Sequence, residues 1–386
     1  MKKIKLLLII VMTIVLSVLF SGCWDYRDVN ELYVVSGIAV DKSDDGQKYL
    51  LTVEVADVKS AGKEAKIDSK LIQIEGETLF DAIRNMIMIS GKKLYFSHMK
   101  VVLISQEVAR EGITQITDLI TRDNEPRLET NMLISREKTA RELLEYQSIG
   151  EVLKCISMYE MLESQSELSK APFIENYKFI QSLSSEGECA ILPAAGSAVI
   201  EGQKNLEVSG IAIFKKDKLI GFLNGDDTKY LLFIRDMVKS GILPEMGKQE
   251  TTKHSVSLEI FENKTKLKPK YADGKVSIDI NVKTVTGIGE QGGMVNFVDE
   301  KGRDILKNNA EDSLKENIER VVKKVQHEYG TDIFEFGKTI KIQMPSVWKS
   351  IYLEWDDLFK KIDVNVNADV NIRSSGFLSK PFSKGE

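Results

Sequence analysis

The residue best equipped for chemistry is a thiol, Cys23, set directly after Ser21 and Gly22 at the end of an apolar run from Leu6 to Phe20. Lys2, Lys3 and Lys5 precede that run, which gives the charged start, apolar middle and small-residue end of a secretory leader. The apolar run is about 15 residues, short of the roughly 20 that a helix needs to cross a bilayer. Small side chains at Ser21 and Gly22 let an extended backbone enter a peptidase site, and the sulphur of the next residue is the nucleophile that can take a diacylglyceryl group. The expected product starts at Cys23 and carries an S-diacylglycerol, with N-acylation allowed. Phe20 stands where leucine is usual in such cleavage boxes, with Leu19 before it. The competing readings are an uncleaved membrane anchor and a plain secretory signal with an incidental cysteine.

Other chemically suggestive groups carry little. Gly287, Gly289 and Gly292 match the dinucleotide fingerprint GxGxxG, but an alternating strand precedes them and no helix pattern starts at the third glycine, so a loop is expected. His98, His254 and His327 are far apart, without the spacing of metal ligands. Carboxylates such as Asp44, Asp45 and Glu186 are too common to mark an acid pair without geometry. No GxSxG elbow and no Cys–His pairing occurs. The reading is therefore non-enzymatic, with no catalytic residue, cofactor site or metal site. Beyond Cys23 the cysteines are Cys155 and Cys189; two separate thiols are expected rather than a bridge. Trp24 and Tyr26 follow the lipid site, where amphipathic rings suit the headgroup zone; packing against the body is an equal alternative. Trp348 and Trp355, seven apart, could share a helix face as core residues.

Composition is that of an ordinary globular chain, 42% hydrophobic and 29% charged over 386 residues. Removing the leader leaves 50 basic against 58 acidic residues, a formal charge of −8. An acidic body argues against nucleic acid as partner and gives no electrostatic hold on anionic lipid. Anchoring then falls to acyl chains, for which one is marginal and two are stable at ~0.8 kcal/mol per buried methylene.

The elements that must carry these residues alternate between periods. Strands are expected over 32–40, 49–58 (half-buried, with Leu51, Val53 and Val55 inward), 71–74, 94–105, 129–135, 190–200, 206–214 and 219–223. Residues 254–286 read as strand and turn, and a last strand carries Val364, Val366, Ala368, Val370 and Ile372. Asp44-Asp45-Gly46 signals a hairpin turn, and polar residues 59–69 suit a loop. Helices are expected from Thr78 as cap, over 108–122 and 139–146, around Val152–Leu162, from Pro172 through Ile180, over 229–238, and as one long amphipath through Ala310, Leu314, Ile318, Val321 and Val325. Helices among alternating strands predict a multidomain α+β fold with antiparallel or mixed sheets packed by amphipathic helices. The divisions are a leader, 1–22; an N-terminal α+β region, 23–200, with room for two structural domains; a C-terminal α+β domain, 206–376; and a polar tail, 377–386.

Taken in order, several blocks resemble the Ger(x)C family, the C-subunit lipoproteins of spore nutrient germinant receptors. They are Gly22-Cys23-Trp24-Asp25, Asn30-Glu31-Leu32 and Gly37–Asp41; Tyr95–Lys100; Arg122-Asp123 with Arg127; Gly210–Leu223; Asp332–Gly337; Pro345, Trp348 and Trp355; and the strand before Arg373 and Gly376. Phe222 departs from a tryptophan often found in the central hairpin. The resemblance implies three α+β domains and a place on the outer face of the spore inner membrane, held by lipid at Cys23. It also implies membrane-embedded A-type and B-type partner subunits, and a role in the germination response to nutrients. A solute-binding lipoprotein that captures the germinant directly is the alternative.

Overall fold

Runs rich in β-branched residues dominate the chain from Leu32 onward, as half-buried or buried strands require. In a computed structural model of the chain they assemble into two sheets, with residues 3–7, 10, 12–13, 32–61, 64–122, 125, 127, 129–246, 255–291, 297 and 299–374 described. Strands β1 (Leu32–Lys42), β2 (Tyr49–Ala61) and β3 (Glu64–Gly76) form a meander. Helix α1 (Leu79–Ser90) then leads to β4 (Lys93–Tyr95) and β5 (Val101–Ile104). After α2 (Gln106–Glu111) and α3 (Thr114–Arg122) comes β6 (Asn131–Ser135). Four short helices follow: α4 (Arg141–Glu145), α5 (Lys154–Glu163), α6 (Gln165–Leu168) and α7 (Asn176–Ser184). Strands β7 (Ile191–Ile200), β8 (Gln203–Lys215) and β9 (Lys218–Leu223) complete the large sheet, ordered β3-β2-β1-β5-β6-β7-β8-β9 with β4 beside the start of β1. Its centre, β1-β5-β6-β7, is parallel and its flanks are antiparallel.

Helix α8 (Gly225–Ile234) passes to the smaller sheet of β10 (Gly241–Met246), β11 (Ser255–Ala272), β12 (Lys275–Gln291) and β13 (Asp363–Ser374), in that order. The parallel step from β12 to β13 is bridged by α9 (Glu300–Glu328), α10 (Phe336–Gln343), α11 (Pro345–Ile351) and α12 (Trp355–Phe359). On α9 the expected stripe of Ala310, Leu314, Ile318, Val321 and Val325 is buried. A parallel pair needs such a crossover, and its helix covers the sheet it spans. The fold is α+β, with mixed sheets packed by amphipathic helices.

Several expectations are corrected. Strand β2 is not half-buried: Leu51, Val53 and Val55 face one core, and Thr52 and Glu54 on the other face are equally inaccessible. The reason is that α5 packs over the second face of the parallel centre, as parallel sheets demand. Residues 59–69 are not a loop; β2 and β3 stay paired out to Ala61 opposite Glu64. That stretch lies past the β1 pairing, whose last residue paired to β2 is Val34, opposite Ala56. Expected helix 108–122 is two helices, broken at Gly112 (φ 144), where a Cβ would lie 2.8 Å from Asp217 Oδ2. Expected strand 94–105 is interrupted by a turn in which Met99 N–H donates to Phe96 O at 2.9 Å. Helix α7 begins at Asn176 rather than in the turn after Pro172, because Glu175 is held extended in a bridge to Asn131. Helix α8 begins at Gly225, since the Asn224 side chain caps it by accepting Asp227 N–H at 2.8 Å. Residues 200–206 form the turn and first pairs of the β7–β8 hairpin.

Candidate functional site

Cys23 lies outside the described residues, as do Trp24, Tyr26, His254 and Gly292. The structure describes the end of the body to which that cysteine is tied. Eight residues separate Cys23 from Leu32, so the sulphur lies within about 30 Å of the first residue of β1 along a fully extended chain. Leu32 stands opposite Lys93 of β4, directly after α1 and its left-handed cap Gly91. At this end the Lys92 and Lys70 ammonium groups lie over the Tyr33 ring, at 5.0 and 5.5 Å from its centroid. Cation and ring attract through the ring quadrupole.

Inside the body, three buried acids do one job. Helices α4, α5 and α10 start without a capping side chain at Ala140, Leu153 and Glu335. Their exposed N–H groups would be costly to bury unpaired. Asp41 of β1 reaches α4, accepting Ala140 N–H at 2.6 Å and Arg141 N–H at 3.0 Å. Glu54 of β2 reaches α5: Oε1 accepts Lys154 N–H at 2.7 Å and the Ser69 hydroxyl at 2.9 Å. Its Oε2 accepts Cys155 N–H at 2.9 Å and the Ser36 hydroxyl at 2.6 Å. Asp332 serves α10 through Phe334, Phe336 and Gly337 N–H at 3.0, 3.2 and 2.7 Å, and takes the Trp355 indole N–H at 3.3 Å. Burial pushes Asp41 above the ordinary carboxylate range, against the N–H groups it accepts, and pushes Asp332 up to about 6. Sequence reasoning did not single out these acids. The available signal was confined to α5, which starts after Glu151-Val152-Leu153 with no capping residue type; α4 has a Thr139–Glu142 cap of its own, Glu142 N–H donating to the Thr139 hydroxyl at 3.3 Å.

The Asp332 node opens on a cavity of about 280 Å³ between Gly187–Cys189 and the Trp348–Trp355 segment. Trp348 and Trp355 are buried with rings edge to face at 5.6 Å, but on α11 and α12 rather than on one helix face. Among the described residues the buried Trp348 Nε1 has no hydrogen-bond partner. The acids at the rim are answered: Glu188 by Lys338 at 3.1 Å, Glu186 by Lys341 at 3.5 Å and Asp356 by Lys215 at 2.7 Å. Both thiols are free. Burial, then the Glu54 charge, pushes Cys155 well above the usual thiol range, and burial takes Cys189 to about 12. Gly287 and Gly289 sit inside β12, a strand rather than the expected loop. His98 leans on Tyr95 at 5.8 Å, and His327 ends α9. Among the described residues no group of three His, Cys, Asp or Glu side chains could hold a metal ion.

Two family models match, in order and without overlap: "Spore germination protein N-terminal domain" over residues 25–196 and "Spore germination B3/GerAC like, C-terminal" over 209–376. The chain belongs to the GerAC-like family of spore germination proteins. It is 26% identical to spore germination protein B3 of Bacillus subtilis (strain 168), covering 93% of this chain and 95% of that protein. It is 24% identical to spore germination protein KC of the same organism, over 98% and 97% of the two chains. The solved structure of the GerBC protein has the same fold, with a TM-score of 0.57 at 22% identity over 87% of this chain and 96% of that one. In this GerAC-like chain the block Tyr95–Lys100 is the end of β4 and the turn before β5, Gly210–Leu223 is the β8–β9 hairpin, and Asp332–Gly337 is the acid-capped entry to α10. The two family models meet at the β7–β8 hairpin, inside one sheet.

Proposed function

We propose that this GerAC-like chain is a lipid-anchored, non-enzymatic subunit of a spore nutrient germinant receptor, tethered through Cys23 to the outer face of the spore inner membrane. There it acts beside membrane-embedded A-type and B-type subunits. The observation that carries this reading is the ordered match of both family models, over 25–196 and 209–376, starting two residues after Cys23, which follows a leader ending in Ser21-Gly22. Among the described residues no helix is long and apolar enough to cross a membrane, and lipid at Cys23 supplies an attachment. Confinement to a bilayer surface raises the effective concentration of the body beside integral partners without new contacts. The helix caps made by Asp41, Glu54 and Asp332 tie helices to strands about 100 residues away or to a neighbouring block, which suits a rigid body that holds or transmits a partner's state.

The test is Cys23→Ala in the spore. The variant should leave the membrane fraction and impair the germination response, and the wild-type chain should co-purify with A-type and B-type subunits. An unlipidated variant that still fractionates with membrane and assembles normally removes tethering from its role.

The cavity beside Trp348, with its unpaired indole N–H, favours a second reading in which the body captures the germinant itself. Against it, the rim acids have lysine partners and Asp332 is occupied by N–H groups, so no free charge is left to fix a small ion. Calorimetry of the protein with candidate nutrients separates the two: micromolar binding supports capture, and silence supports the tethered scaffold.

A further inference from the structure

Helix α1 buries Leu79, Ala82 and Met86 and ends on three consecutive apolar side chains in solvent: Ile87 (43% exposed), Met88 (77%) and Ile89 (61%). Scattered exposed hydrophobes need no explanation, but three together at one helix end form a patch. Phe80, two turns before Ile87 on the same flank, extends it along the helix, with the Arg84 guanidinium over its ring at 4.8 Å.

The position of this patch decides its occupant. Helix α1 runs back along the large sheet, so its last turn lies beside Lys93, opposite Leu32. That is the end at which the chain arrives from Cys23, within about 30 Å. Lys92 follows the helix end directly, and its ammonium meets that of Lys70 over the Tyr33 ring, so this end of the sheet carries cations next to the apolar turn. We propose that the last turn of α1, Ile87–Ile89, is a second membrane contact, entering the headgroup–acyl boundary of the bilayer that holds the Cys23 lipid. This inference rests on the lipid anchoring proposed above. A peripheral helix face of this kind sits about 5–10 Å into that boundary. Two contacts at one end orient the body as well as hold it. Strands β1, β5, β6 and β7 are parallel, so the C-terminal end of β7 points away from the bilayer, Val199 (72% exposed) with it.

The experiment uses the full-length lipidated chain in vesicles of phosphatidylglycerol and phosphatidylethanolamine. A nitroxide is placed at Met88→Cys or Val199→Cys, both carrying Cys189→Ser; Cys155 is buried and the lipid blocks Cys23. Adding vesicles should raise collisions of the residue-88 label with dissolved oxygen and lower those with a polar nickel chelate, while the residue-199 label stays aqueous. A residue-88 label as aqueous as that at 199, on protein that floats with the vesicles, overturns the contact and leaves lipid anchoring standing. Protein that does not float overturns the anchoring reading and this contact with it. Shielding of residue 88 from both reagents only when A-type and B-type subunits are co-reconstituted assigns the patch to protein and also overturns the proposal.

Discussion

The carboxylate of Glu54 accepts the backbone N–H of Cys155 at 2.9 Å across 101 residues of sequence. One acid on the flanking strand β2 thereby starts the helix that covers it. The four donors around Glu54 leave no place for a donor in return. Glu54→Ala should cost roughly 3 kcal/mol, since it orphans two buried N–H groups and a charge-assisted network. Glu54→Gln should lose a large part of the same, because its NH₂ meets two donors. Urea denaturation of both variants measures it; a change under about 0.5 kcal/mol in either contradicts the role.

Asp332 predicts a pH dependence. Burial raises its folded value to about 6 from an ordinary 3.8. The folded chain therefore keeps this proton where the unfolded chain has lost it. Its contribution is complete below about pH 4 and is lost as the pH rises through 6, in total about 3 kcal/mol at 1.36 kcal/mol per unit. Thermal denaturation from pH 4 to 7 should show that fall in the wild type. The difference between wild type and Asp332→Asn should carry it, since the amide does not titrate. A difference that is flat across the window refutes the assignment.

Neither thiol should react in the folded protein. Cys155 is inaccessible, and burial lifts both thiols well out of the range in which thiolate forms at pH 8. Iodoacetamide at pH 8 should label neither in buffer and both in denaturant, read by peptide mass spectrometry. The tight site also forbids growth at Gly37, where a Cβ would lie 2.3 Å from Cys155 Sγ and 2.6 Å from Val101 O. Gly37→Ala should destabilise by about 1–3 kcal/mol and expose the thiol to the reagent.

The edge-to-face Trp348–Trp355 pair should give a near-ultraviolet dichroism signal that either Trp→Phe change removes. Trp355→Phe should cost more than Trp348→Phe, by about 1–2 kcal/mol, because only Trp355 donates its indole N–H, to Asp332. Equal losses in chemical denaturation would show that packing alone matters.

Much of the architecture was legible because it rests on local period. The alternation of Val276, Ile278, Ile280 and Val282, the stripe on α9, and the Thr78 cap accepting Asp81 N–H at 3.1 Å all stand where the residues place them. Misreadings arose where partners distant in sequence decide. Glu54 looked like the solvent side of an alternating strand until α5 covered it. Residues 59–69 looked like a loop because their polar residues carry no sign of the partner strand, which only the β2–β3 register supplies. Trp348 and Trp355 fit one helix by spacing, yet the chain turns between them at Tyr352–Glu354. A lone acid has no sequence pattern, so the nodes at Asp41, Glu54 and Asp332 emerged only from geometry.

The last ladder has a consequence for synthesis. Strand β12 must wait for Asp363–Ser374 before its flank from Ser277 to Gly287 finds a mate. A ribosome that stalls anywhere in between releases a chain with a raw, sticky margin eleven residues long. Nonsense changes late in the gene should therefore yield clumping debris rather than a trimmed but serviceable protein.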